Sequence, residues 1–162
     1  MSGRLIYITG FSGSGKTTIA SALQQHIPHS IVLDGDVIRK SINVDLGYDE
    51  QSKQENIRRN TELMALLYDQ GFTVIAAFMG SLGEYRDLVF DRCPDSIRVQ
   101  LTTPLDVCIA RNTKGLYNKS TSNLAGVTAR YSPLTSPDLQ LDTSVISVDD
   151  CVRSILDIHL TS

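Results

Sequence analysis

The sequence predicts an α/β fold of three layers: a parallel sheet covered by helices on both faces, with a lid segment. Three observations carry that expectation. Short apolar runs alternate with helix-compatible segments along the 162-residue chain. One run, residues 72–78, has no polar alternation and reads as a strand covered on both faces. A Gly-rich turn follows the first run and opens the first helix.

Residues 5–9 are apolar with β-branched and aromatic members and stop at Gly10, as a buried strand does. Residues 17–26 suit a helix that ends before Pro28, and 30–33 suit a strand closed by Asp34-Gly35-Asp36. A long helix is expected over 50–70. Ile57, Leu63, Met64, Leu67 and Tyr68 give it an apolar face, and Gly71 a stop. The strand at 72–78 is expected at the centre of the sheet. A helix near 84–92 precedes Pro94, a strand covers 96–101, and a helix runs from Pro104, suited to a first helical position, to 111. Residues 112–138 are rich in Asn, Ser, Thr, Gly and Pro with weak periodicity, which reads as either a disordered stretch or a functional lid, the lid being the reading adopted. A strand at 139–142 and a helix at 148–159 capped by Ser147 complete the series. Strands alternating with helices imply right-handed crossovers between parallel strands. No linker divides the chain, so residues 1–162 read as one domain with 112–138 as its lid.

Composition narrows the function classes. Hydrophobic residues make up 41% and charged residues 20%, with a net charge of -3, which excludes disorder, collagen and coiled coil. Slight acidity argues against a surface that coats a nucleic-acid polymer. No apolar run approaches the ~20 residues of a membrane span, and the N-terminal run is too short for a signal peptide. The three cysteines and three histidines show no paired metal-ligand spacing. The expectation is a cytoplasmic protein with reduced thiols and no membrane partner.

Gly10-Phe11-Ser12-Gly13-Ser14-Gly15-Lys16-Thr17 matches G-x-x-x-x-G-K-[ST] at every fixed position, between a strand and a helix. The glycines let backbone N–H groups cradle a polyphosphate, and the helix aims its positive end at the same point. Lys16 would reach the β- and γ-phosphates and the Thr17 hydroxyl would hold Mg²⁺, so a nucleoside triphosphate and Mg²⁺ are the expected ligands. The guanine-specifying Asn-Lys-x-Asp is absent, and no aspartate ends the 72–78 run, so the carboxylate at the metal must come from elsewhere.

Asp34-Gly35-Asp36 follows the second strand, whose C-terminal end opens on the ligand side with the others. One carboxylate can bind a Mg²⁺ water while the other accepts a proton from an attacking hydroxyl. Asp34 joins Thr17 as the metal candidate, although which carboxylate lies nearer the ion stays open. Arg39 and Lys40, then Lys53, Asn56, Arg58 and Arg59, gather after this pair and suit an anionic acceptor.

At this point the chain resembles the adenylyl-sulfate kinases. The likeness includes Gly10–Thr18, Leu33-Asp34-Gly35-Asp36-Val37-Ile38-Arg39, Asp45-Leu46-Gly47-Tyr48 and Glu55-Asn56-Ile57-Arg58-Arg59. It continues through Thr103-Pro104-Leu105-Asp106-Val107-Cys108, Lys114-Gly115-Leu116-Tyr117 and Pro137-Asp138-Leu139-Gln140-Leu141-Asp142-Thr143. The resemblance implies a P-loop kinase fold, transfer of the ATP γ-phosphoryl group to the 3′-hydroxyl of adenylyl sulfate with Mg²⁺, and a homodimer. Residue by residue, it implies Asp36 as base or hydroxyl-orienting group. Arg39 and Asn56 would hold the acceptor's anionic end, and Tyr48 would stack on its base. Arg111 would pack on the ATP adenine, and Lys114 would act in the closing lid.

The departures from the family pattern lie on the acceptor side. Lys53 stands for an Arg and lacks its bidentate fork. Met79-Gly80-Ser81-Leu82-Gly83-Glu84-Tyr85-Arg86 replaces Ile-Ser-Pro-Tyr-Arg; either Gly80 replaces the Ser, or an insertion lets Ser81 and Arg86 stand in. Val127 stands where a Phe would complete a sandwich around adenine. Such changes also suit a kinase of the same family with another acceptor, cytidine diphosphoramidate being the specific alternative, or a nucleotide-binding regulator without phosphotransfer.

Overall fold

The computed structural model describes residues 3–80, 82–111, 115–118 and 130–162. Strands β1 (Arg4–Thr9), β2 (Ser30–Asp34), β3 (Thr73–Ala77), β4 (Ser96–Leu101) and β5 (Leu139–Leu141) form one parallel sheet in the order β2-β3-β1-β4-β5. Helices α1 (Lys16–Gln24), α2 (Gly35–Arg39), α3 (Glu50–Asp69), α4 (Gly83–Arg92), α5 (Leu105–Arg111) and α6 (Val148–Thr161) connect and cover it, with a 3-10 turn at Leu116–Asn118.

Period-two alternation in β1 divides the core into its two layers. Ile6 and Ile8 face α1 and α6, where Ile19, Leu23, Val152 and Ile155 pack. Leu5 and Tyr7 face the other way, onto Met64 and Tyr68 of α3 and Val89 and Phe90 of α4. Because both faces are covered, β3 and the middle of β1 are almost wholly apolar, whereas β4 carries Arg98 and a buried Gln100 among its apolar residues. The strand expected at the centre, β3, is internal, but the middle position belongs to β1, which pairs with β3 on one side and β4 on the other.

Local chemistry sets the ends of the elements. The Asp49 side chain accepts from Ser52 N and caps α3; Gly71, at φ 87°, closes the far end. Ser147 caps α6 through Asp150 N, as its type suggests. Pro104 precedes α5 instead of starting it, its carbonyl accepting from Cys108 N. Cys93, Cys108 and Cys151 are buried free thiols, and burial pushes Cys93 up to about 11, so it stays protonated. Among the described residues, no helix is long and apolar enough to cross a membrane.

In a parallel sheet all C-terminal strand ends open on one side. Here they deliver the loop after β1, the Asp-Gly-Asp that begins on the last residue of β2, Met79 and Gly80 after β3, and Asp142 and Thr143 after β5.

Candidate active site

The loop between β1 and α1 is shaped by glycines whose backbone angles side chains avoid. Gly13 and Gly15 have φ of 85° and 103°, and a Cβ on Gly13 would lie 2.9 Å from the Cys108 carbonyl oxygen. Hydrogen bonds then occupy the loop's carbonyls one after another. Lys16 Nζ donates to Gly10 O at 2.8 Å and to Phe11 O at 2.9 Å. Tyr117 OH donates to Ser12 O at 2.7 Å, Arg111 Nη1 to Gly13 O at 3.1 Å, and Thr143 Oγ1 to Ser14 O at 2.6 Å. With its carbonyls committed, the loop has its N–H groups to offer a phosphate. Gly15 caps α1 without a side-chain bond, which leaves the first turn's donors and the helix's positive end for an anion. Ser12 and Ser14 are buried within the loop, while Thr17 and Thr18 are exposed on the first turn of α1.

Asp34, the last residue of β2, has two tasks. Its Oδ1 accepts from Asp36 N at 2.9 Å and Val37 N at 3.4 Å, which caps α2, while Oδ2 accepts from Thr17 Oγ1 at 2.6 Å. A carboxylate and a hydroxyl oxygen side by side, next to a phosphate cradle, are the donor set a small hard cation takes. These two residues fit Mg²⁺. Lys16, Thr17, Asp34, Asp36 and Met79 line one small cavity of about 40 Å³.

A second cavity, of about 620 Å³, lies beside it and shares Met79. Helix α3 supplies Lys53, Asn56, Ile57, Asn60, Thr61 and Met64 at helical spacing, and the end of β3 supplies Phe78 and Gly80. Tyr48 stands at the rim, with the Arg39 guanidinium 4.3 Å from its ring centre. Arg39 Nη2 also donates to Gly47 O at 2.5 Å. Gly80 has φ 48°, and a Cβ there would lie 2.4 Å from Tyr7 OH. Burial raises the Tyr7 hydroxyl far above the usual phenol range, against the opposing pull of Arg86, so Tyr7 stays a neutral wall of this cavity.

Two basic residues expected near an acceptor are engaged elsewhere. Arg58 pairs with Glu55 at 2.8 Å, and Arg59 with Asp45 at 2.8 Å and Glu55 at 2.9 Å, on the outer side of α3. Lys114, Val127 and Ser81 lie outside the described residues, as does most of the 112–138 segment. Sequence reasoning missed Asn43, Asn60 and Thr143, and offered Arg86 only as an acceptor-side stand-in, whereas it does not line the larger cavity and forms a clamp instead. That guanidinium is fully buried and its Nη2 donates to Ser132 O at 2.5 Å and Pro133 O at 3.2 Å, in the described last part of the 112–138 segment. Buried Gln100 holds the same stretch, donating to Tyr131 OH at 2.7 Å and accepting from Leu134 N at 2.8 Å. A charged residue in a helix pattern such as that of 84–92 gives no signal that it is buried.

A Gly-rich loop with a hydroxyl–carboxylate pair, beside a larger cavity of mixed polar and apolar lining, defines a P-loop phosphotransferase acting on an alcohol acceptor. The chain belongs to the adenylylsulphate kinase family, whose family model matches residues 2–142. It is 36% identical to the adenylyl-sulfate kinase of Vibrio cholerae, over 96% of this chain and 79% of the relative. It is 39% identical to that of Bacteroides fragilis, over 98% and 83%. Among solved structures, the Mycobacterium tuberculosis APS kinase CysC in complex with AMPPNP and APS superposes with a TM-score of 0.89 at 32% identity, covering 99% of both chains.

Proposed function

We propose that this chain transfers the γ-phosphoryl group of ATP to the 3′-hydroxyl of adenylyl sulfate, as one kinase domain over 1–162 whose lid is 112–138. The observation that carries this reading is the pair of cavities meeting at Met79, one lined by phosphate-binding residues and the other large enough for a nucleotide. The name of the Mycobacterium tuberculosis neighbour, a complex with an ATP analogue and APS, supports the same pairing of ligands.

In this reading Gly10, Ser12, Gly13, Ser14, Gly15 and Thr18 belong to the donor-phosphate cradle, and Lys16 swings from its loop carbonyls to the β- and γ-phosphates. Thr17 and Asp34 hold Mg²⁺, which when bound neutralises charge on the transferring group. The Thr17–Asp34 contact favours Asp34 over Asp36 for that task. Asp36, in the same cavity, orients the incoming hydroxyl and takes its proton. Arg111, bonded to Gly13 O and to Thr143, stands beside the loop where an adenine would pack. Arg39 and Asn56, with Lys53 on the same wall, hold the acceptor's anionic end, and Tyr48, whose ring lies against Arg39, stacks on its base. Met79 and Gly80 form the wall between donor and acceptor; Lys114 and Val127 would act from the lid. Closure of the lid excludes water that would otherwise hydrolyse ATP. The buried free thiols suit a reducing, cytoplasmic setting, and a homodimer, read by light scattering, belongs to the same proposal.

An assay of ADP release with ATP, Mg²⁺ and a panel of acceptors tests the reading. Turnover with adenylyl sulfate is expected. Turnover only with a cytidine diphosphate derivative would assign the changed-acceptor activity, which Lys53 and the Gly80 wall favour, and tight ATP binding with no turnover would assign a regulator. For the mechanism, Asp36→Asn should leave the ATP Kd nearly unchanged and lower kcat by about 100-fold or more. Near-normal kcat would remove Asp36 from its role.

A further inference from the structure

Three asparagines meet behind the acceptor cavity. Asn43, in the connection between α2 and α3, is fully buried, and its Nδ2 donates to Asn56 Oδ1 at 2.9 Å and to Asn60 Oδ1 at 3.0 Å. Asn56 and Asn60, four residues apart on α3, both line the cavity. A carboxamide has its oxygen on one side and its NH₂ on the other. With both oxygens turned back to Asn43, both NH₂ groups are turned toward the cavity. Lys53 adds an ammonium one turn earlier on the same face, and the buried Thr61 hydroxyl, which has no partner, lies next to Asn60. From Lys53 to Thr61 the α3 wall is thus a ladder of donors, while the Glu50 carboxylate at the start of the helix also lines the cavity and accepts from Tyr85 OH at 3.2 Å.

We propose that Asn60 is a further acceptor-binding residue and that Asn43 is the positioning residue that sets the amide direction of both Asn56 and Asn60. The wall so built takes the oxyacid end of a nucleotide, phosphate or sulfate, whose oxygens only accept. This rests on the acceptor reading above and extends it deeper along α3. The direction matters because reversing it would present two carbonyl oxygens to an anion. Asn43→Asp does this with almost no change in shape: a carboxylate only accepts, so Asn56 and Asn60 must donate to it and show their oxygens to the cavity. Asn43→Ala removes the constraint without imposing the opposite one.

Two measurements test the proposal. In the wild-type protein, amide NMR should find the Asn43 NH₂ protons slow to exchange and those of Asn56 and Asn60 fast. The reverse pattern would overturn the assignment without reference to any substrate. With the acceptor the wild type turns over, the KM for acceptor should rise about tenfold or more in Asn60→Leu and Asn43→Asp, and less in Asn43→Ala, with the KM for ATP within about twofold. Thermal unfolding run alongside separates this from a packing role, which would make Asn43→Ala at least as harmful to KM as Asn43→Asp. Equal effects of the two changes, or an unmoved acceptor KM in Asn60→Leu, would overturn the proposal. In that kinetic arm AMP and adenylyl sulfate distinguish the sources: a loss confined to adenylyl sulfate assigns the ladder to sulfate, an equal loss to phosphate. If no nucleotide is turned over, the proposed function fails while the exchange pattern still decides the amide direction.

Discussion

Gly80 combines two constraints that sequence comparison separates poorly. Its φ of 48° is costly for any residue with a Cβ, and that Cβ would lie 2.4 Å from the Tyr7 hydroxyl oxygen. The Ser that the family pattern carries could not be installed at this position without moving β1 or the cavity wall. Gly80→Ala should therefore cost about 1–3 kcal/mol in urea unfolding. Gly80→Ala combined with Tyr7→Phe should recover part of that loss, because the clash is with the hydroxyl and the backbone strain is not. No recovery would mean that the left-handed angle alone sets the cost.

At the scale of elements, α3 does the most varied work. One face packs Met64, Ala65 and Tyr68 into the core, a second lines the larger cavity, and its outer side holds a charge cluster. Hydrogen bonds from Arg58 and then Arg59 lower Glu55 from its usual value to about 2. A carboxylate whose folded pKa lies below its unfolded one stabilises the fold above the unfolded value, and that contribution fades as pH falls toward the folded value. The window is therefore roughly pH 4.5 down to 2. Wild type and Glu55→Gln should differ in urea midpoint at pH 7 and converge at about pH 2–3; the difference is small because the cluster is exposed to solvent. A gap that persists at low pH would assign the effect to packing. The end of the same helix is set by Asp49, and Asp49→Ala should cost about 1 kcal/mol. That helix and its stop at Gly71 were legible beforehand, since apolar spacing and a terminal glycine are local signals. The destinations of Arg58 and Arg59 were not, because a basic residue on a helix looks the same whether it meets a ligand or the acid three or four residues away.

Across the whole molecule, the phosphate cradle is held by residues far away in the chain. Thr143, at the end of β5, donates to Ser14 O at 2.6 Å, shares a 2.7 Å bond with Thr103 Oγ1, and accepts from Arg111 at 2.9 Å. Thr143→Val keeps the shape and removes these bonds. The ATP Kd measured by calorimetry should weaken about three- to tenfold, with the far-ultraviolet circular dichroism unchanged. Unaltered ATP affinity would show that the glycines alone shape the loop. Residue types and spacing were enough for the alternation of strands and helices, the Gly-rich loop between β1 and α1, the Asp-Gly-Asp beside it and the Ser147 cap of α6, because each is written in neighbouring residues or in a period. Only the folded chain shows that β1 is the middle strand, that Arg86 is buried, that Gly80 lines the larger cavity, and that Asn43 bonds to both Asn56 and Asn60. Those facts depend on side chains from different strands and helices converging at one end of the sheet, where neither spacing nor residue type reports which ones will touch.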